Sequence, residues 1–196
     1  ARSIYVERMI IVLNGYPGVG KLPIGRDLAK LLEARLVDIH TLYNLAFALT
    51  EFRTAEFYEA VRHTEQIADD LIETLPKDVP VVFTTVLTGK SAWVTEEWQR
   101  FCRRGDRRPP LVMVHIVCDL EENVRRIQSP ERKGKGKLQG ADVALRNHAS
   151  KEQLIGVNLD HTLVLDVASL RPEEAAQEIA TFCTVVRGAF SGKHAS

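Results

Sequence analysis

Short, continuously apolar runs alternate along the chain with longer stretches in which apolar residues recur at helical spacing. Met9 to Asn14 is apolar at nearly every position and stops at Gly15, the pattern of a strand buried on both faces. Ile24, Leu28, Leu31 and Leu32 then fall at i, i+4, i+7 and i+8, which predicts an amphipathic helix. Arg35 to Asp38 reads as a short second strand. Thr41 to Leu49 and Ala55 to Leu75 read as helices, the second with Phe57, Val61, Ala68, Leu71 and Leu75 on one face. Val81 to Val86 is rich in β-formers and gives a third strand. A helix over 91–103, a strand over 111–118, a helix over 120–128 and a strand over 162–166 follow. A last helix opens at Pro172 with Ala176, Ile179, Ala180 and Cys183 inward. Strands alternating with helices predict an α/β domain with a parallel sheet and right-handed crossovers. The stretch from Gln128 to Gly140 carries Pro130 and three glycines among basic residues and reads as a mobile surface loop.

Composition narrows the class. A chain of 196 residues with 45% hydrophobic and 27% charged residues suits one soluble globular domain. Residues 1–8 read as a leader or an added remnant, 9–190 as the domain and 191–196 as a flexible tail. Lys plus Arg and Asp plus Glu each number 26, so the net charge is zero. That balance argues against a nucleic-acid or membrane partner. Cys102, Cys118 and Cys183 are odd in number and without a paired spacing, which argues against a disulfide framework or a zinc site. Together with the absence of a membrane-spanning run, this predicts a cytoplasmic protein.

The sharpest motif is Gly15-Tyr16-Pro17-Gly18-Val19-Gly20-Lys21, between the first strand and the first helix. It matches Gly-x-x-x-x-Gly-Lys in the strand–loop–helix setting that the motif requires. Glycines let successive amides face one anion, the helix N-terminus adds its dipole, and Lys21 supplies a point charge. The next position breaks the pattern. Leu22 stands where a magnesium-binding hydroxyl is expected, and Pro23, without an N–H, follows. Either a metal is held through water and a carboxylate elsewhere, or nucleotide binding is weakened.

On this loop and the order of elements, nearly the whole chain resembles the P-loop small-molecule kinases, the group of shikimate kinase and chloramphenicol phosphotransferase. The resemblance implies a three-layer α/β fold with a five-stranded parallel sheet in the order 2-3-1-4-5. It also implies a helical acceptor cap over 41–76, a basic lid over 125–140, and ATP with Mg²⁺ as cofactors. The activity implied is transfer of the γ-phosphoryl group to a hydroxyl of a metabolite or antibiotic. Gly15 to Leu22 and Arg125 become the nucleotide-binding residues. Lys21, Asp38, Arg126 and Arg132 become catalytic, with Asp38 as base, acceptor ligand or metal ligand, directly or through water. His40 is an acceptor-side candidate beside Asp38. Thr84 and Thr85 lie at a strand's C-terminal end, where open α/β sheets bind ligands. Lys90 is a further acceptor candidate, although Thr88 to Ser91 reads better as a turn and helix cap. His115 among apolar residues reads as a core histidine, and Trp93, Trp98, Phe52, Phe57 and Tyr58 as packing.

Two other readings stay open: a nucleotide-binding protein with little turnover, and a nucleotide or nucleoside kinase. No run of four apolar residues ends in Asp-Glu, as it does in motor and AAA-type ATPases, which sets a general NTPase apart. A monomer or homodimer is expected. Counted by segment, the neutral total splits. Residues 51–73 hold seven acids and two bases, whereas 125–137 hold six bases and one acid. A basic lid would draw in phosphates, and an acidic cap would favour a cationic or polyhydroxyl acceptor unless it is a solvated helix face.

Overall fold

A computed structural model of the protein describes residues 8–129, 140–150, 153–157 and 159–193. Five strands, β1 (Ile10–Asn14), β2 (Arg35–Asp38), β3 (Val81–Thr85), β4 (Leu111–Val117) and β5 (Thr162–Asp166), form one parallel sheet in the order β2-β3-β1-β4-β5. Every residue of β1 and β3 is buried, because both strands are central and covered on both faces. Side chains alternate across the sheet. On one face, Ile11, Leu13, Val114 and Ile116 pack on Ile24 and Leu28 of α1 (Lys21–Leu31) and on Ala176, Ile179, Ala180 and Cys183 of α7 (Pro172–Lys193). On the other, Ile10, Val12, Phe83 and Met113 meet Ile72 of α3 (Ala55–Glu73) and Phe101 of α4 (Ala92–Arg107). The three-layer α/β fold and the strand order expected from the sequence are therefore present.

Helix α2 (Ile39–Leu49) starts directly from β2 and packs on α3 through Leu42, Tyr43, Ala46, Phe57 and Val61. Phe57 meets Tyr43, Phe47, Phe52 and Tyr58 with ring centroids 5.1–6.0 Å apart, so the aromatic group acts in packing. Trp93 joins that group 4.6 Å from Tyr58, whereas Trp98 packs under the sheet.

The inward face of α3 differs from the one its apolar spacing predicts. Phe57, Val61, Glu65 and Ile72 are buried, while Leu71 is exposed. The cause is ionic. Arg104 of α4 reaches Glu65 at 2.5 Å and Asp69 at 2.6 Å, and Arg100 stands 3.7 Å from Asp69. The α4 helix also runs one turn past the expected end at Arg103, to Arg107. Its Arg104 guanidinium lies 4.6 Å from the centre of the Phe83 ring, so it is stacked as well as paired. Neither reading of the acidic segment holds for Glu65 and Asp69: they face α4 arginines, not an acceptor and not solvent.

Helix α5 (Leu120–Ile127) is followed, after residues outside the described set, by α6 (Ala141–Ser150), which the sequence pattern did not signal. The last helix reaches Lys193, into the stretch expected as a tail. Cys118 and Cys183 are buried, and burial pushes their thiols up to about 11 and about 12, so neither is a reactive thiolate at neutral pH.

Candidate phosphate-binding loop and cleft

The loop Gly15–Lys21 turns from β1 into α1 at the C-terminal edge of the sheet. Two of its glycines are sterically required. A Cβ on Gly15 would lie 2.4 Å from the Ile116 carbonyl oxygen of the neighbouring strand. Gly18 has φ 96° and faces Asn123, where a Cβ would stand 2.7 Å from the Nδ2 atom. Lys21 Nζ donates to the carbonyls of Gly15 at 2.6 Å and Tyr16 at 2.9 Å, so its charge lies across the loop. Gly20 is the N-cap of α1 and offers no side chain to its amides. Those first-turn amides are the donors available to an anion. Pro23 sits in the first turn of α1, where its ring fits and its missing N–H takes one donor away.

The carbonyl side of the loop is held by α5. Asn123 is fully buried and donates from Nδ2 to the Pro17 carbonyl at 3.0 Å, while its Oδ1 has no partner among the described residues. Arg126 donates to the Val19 carbonyl at 2.8 Å and to Val167, beyond β5, at 2.6 Å. Glu122 accepts from both Arg125 and Arg126, and these two guanidiniums hold its carboxyl down to about 2. Arg126 thus ties the loop to the β5–α7 connection, and Arg125 is largely exposed beside it. From the far side, the Tyr16 ring stands 5.5 Å from His148 of α6. Asn123 and His148 were not among the sequence candidates.

A cleft of about 710 Å³ opens over this loop. Its walls are Gly18, Gly20, Leu22, Pro23 and Ile24 from the loop and α1, Arg125, Arg126 and Ser129 from the α5 side, and Leu170, Arg171 and Pro172 at the start of α7. Arg26 of α1 and His40 and Asn44 of α2 complete it. No carboxylate is among these described lining residues. Asp38 stands at the junction of β2 and α2, paired in register with Thr84. Its carboxylate accepts a hydrogen bond from the Thr84 hydroxyl instead of capping α2. Thr85 is buried at the end of β3, opposite Asn14. Asn14, fully buried, binds both polar groups of Leu87 and the Ile155 carbonyl, closing the floor behind the strand ends. His115 is satisfied there by the Ile155 carbonyl at 2.9 Å, as a core histidine.

Lys90 is exposed in the β3–α4 connection and is not on the cleft wall. Ser91 next to it caps α4, accepting from the Val94 amide at 3.2 Å, and Thr88 bridges to Leu154, so that segment is a turn and cap. Arg132, with Lys133, Lys135 and Lys137, lies outside the described residues. Among the described residues, no group of three or more His, Cys, Asp or Glu side chains is placed to hold a metal. No helix among them is long and apolar enough to cross a membrane.

Comparison with known proteins agrees with this geometry. A family model described as an AAA domain matches residues 11–153. A cytidylate kinase from Pyrobaculum neutrophilum is 22% identical over 94% of this chain and 98% of its own. A gluconokinase from Sinorhizobium meliloti superimposes with a TM-score of 0.61 at 11% identity, over 96% of this chain and 98% of that one. A shikimate kinase from Bacteroides thetaiotaomicron gives 0.53 at 18% identity, over 88% and 97%. The chain belongs to the AAA-domain family, and it carries the fold of the P-loop kinases.

Proposed function

We propose that the protein transfers the γ-phosphoryl group of ATP to a hydroxyl of a small-molecule acceptor. The observation that carries this reading is the loop itself. Its carbonyls are held by Asn123, Arg126 and Lys21, and its amide side meets a cleft with no carboxylate among its described lining residues. In such a transfer the protein mainly positions the phosphates and stabilises charge. The amides of Gly18 to Leu22 hold the phosphates, with Lys21 leaving its carbonyl partners to meet them. Arg125 and Arg126 face the same space. Asp38, oriented by Thr84, takes the proton of the acceptor hydroxyl. Residues 41–76 cover the acceptor, and most of the lid expected over 125–140, with Arg132, lies outside the described residues.

Mg²⁺ bound with the nucleotide would neutralise phosphate charge. The oxygen donors at the strand ends, Asp38, Thr84 and Thr85, suit a metal that keeps much of its water shell. Leu22 removes the hydroxyl that would bind it directly.

Two observations support narrower readings. Leu22 and Pro23 favour a nucleotide-binding protein with little turnover. The cytidylate kinase relative favours a nucleotide as acceptor. Calorimetric titration with ATP separates the first of these. The wild type is expected to bind ATP more tightly with Mg²⁺ than without, and Lys21→Ala to lose about tenfold in affinity or more. Equal affinity for wild type and variant would remove the loop from nucleotide binding. Tight binding indifferent to Mg²⁺, with no turnover, would favour the binding protein.

A further inference from the structure

Among the described residues, four arginines and one histidine line the cleft, and they fall into two groups. Arg125 and Arg126 are engaged by Glu122, and Arg171 by Glu174 at 3.0 Å. These three stand around the loop and the start of α7, where the nucleotide is placed by the reading above. Arg26 is different. It stands on α1 about one and a half turns beyond Lys21, and its side chain makes no ion pair or hydrogen bond with any described residue. His40 and Asn44, also on the cleft wall, stand one turn apart on the same face of α2.

No described carboxylate lines the cleft beside this second group. Asp27, next to Arg26, lies 3.9 Å from Lys30, and Asp38, beside His40, is turned to Thr84 and makes no capping bond to α2. The first-turn amides of α2, beside His40, therefore keep their positive end. A triphosphate seated on Gly15–Lys21 already has Lys21, the α1 amides and the α5 arginines as partners. Arg26 with His40 and Asn44 is surplus to it.

We infer that Arg26, His40 and Asn44 receive an anionic group of the phosphoryl acceptor, a carboxylate or a phosphate. The inference rests on the kinase reading and names the class of acceptor. A guanidinium offers two parallel donors to either anion, and the imidazole and amide add one donor each. The acceptor is then held at its anionic end, with its hydroxyl free to point toward Asp38 and the loop. A neutral acceptor would leave Arg26 unmatched.

The test uses protein saturated with the non-hydrolysable analogue AMP-PNP. Binding of CMP is compared with cytidine, and of gluconate with glucose, by calorimetry. At least one anion is expected to bind about tenfold or more tightly than its neutral partner. The pair that shows the preference tells phosphate from carboxylate. Arg26→Ala is expected to cut that preference to about twofold, and Arg26→Lys to keep part of it, with AMP-PNP affinity changed by less than about twofold. Three results would overturn the inference: neutral partners binding as well as the anions, no anion binding, or a preference that survives Arg26→Ala. A parallel loss of AMP-PNP affinity would also overturn it, by assigning Arg26 to the nucleotide. ADP release is measured separately with ATP. A bound anion with no ADP release would contradict the kinase reading while leaving the anion site standing.

Discussion

Glu97 and Tyr43 show how a single pair can carry a measurable signature. The Tyr43 hydroxyl donates to the Glu97 carboxylate where α4 meets α2, with both side chains buried. Burial pushes the Glu97 carboxyl up to about 7, and nearby Glu65 adds to the effect. Burial and Glu97 also push the Tyr43 phenol up, so the tyrosine stays a donor. The sign of the consequence follows. An unfolded Glu97 loses its proton near its ordinary range, whereas the folded one keeps it to about pH 7. The folded state therefore binds the extra proton in between, and stability falls as pH rises from about 4.5 to about 7. The full effect is roughly 3 kcal/mol or less. Denaturant unfolding of wild type and Glu97→Gln at pH 5 and pH 8 checks this. The wild type is expected to lose more stability than the variant, which keeps an acceptor for Tyr43 without the titration. Equal losses would show that Glu97 titrates normally.

At the scale of elements, α5 is the support of the phosphate loop. Asn123, Arg126 and Ile127 share one face and meet the loop over Pro17 to Gly20. Asn123→Ala separates positioning from stability. It removes one hydrogen bond, worth about 1 kcal/mol, but also removes the unpartnered buried Oδ1, which offsets part of that loss. Stability is expected to fall by about 1 kcal/mol or less in urea. ATP affinity is expected to fall by severalfold, read by calorimetry, because the Pro17–Gly18 turn loses its tether. Unchanged ATP affinity would show that the loop holds its shape without α5.

The same elements show what could be read from the sequence. The loop was legible because its glycines and lysine are contiguous and sit between a buried strand and an amphipathic helix. Strand order was legible only through the resemblance, since β2 pairing with β3 joins residues far apart in the chain. Asn123 and Asn14 were not legible. An asparagine carries no local signal, and their partners lie 106 and 73 positions away. The inward face of α3 was misread because apolar periodicity ranks Leu71 above Glu65, and only the arginines of α4 reverse that order. Helix α6 has a single buried residue, Ala144, and so little apolar periodicity to detect.

For the whole molecule, the zero net charge is a division of labour between surfaces. Glu65 and Asp69 of α3 are matched by Arg104 within the fold, and Arg100 adds a further positive group beside them. The cleft, in contrast, is lined by arginines and a histidine and by no described carboxylate. A cleft of one sign raises the local concentration of an oppositely charged ligand. That arrangement suits an enzyme whose nucleotide is anionic, and Arg26 extends it to the acceptor. The central claim is phosphoryl transfer, and it is tested most directly with ATP labelled at the γ-phosphate. The labelled nucleotide is incubated with Mg²⁺ and the anion that binds best. The wild type is expected to move the label onto that acceptor and release ADP in equal amount, with Lys21→Ala slower by about a hundredfold or more. Label that stays on ATP, or transfer that proceeds at the wild-type rate in Lys21→Ala, would contradict the account.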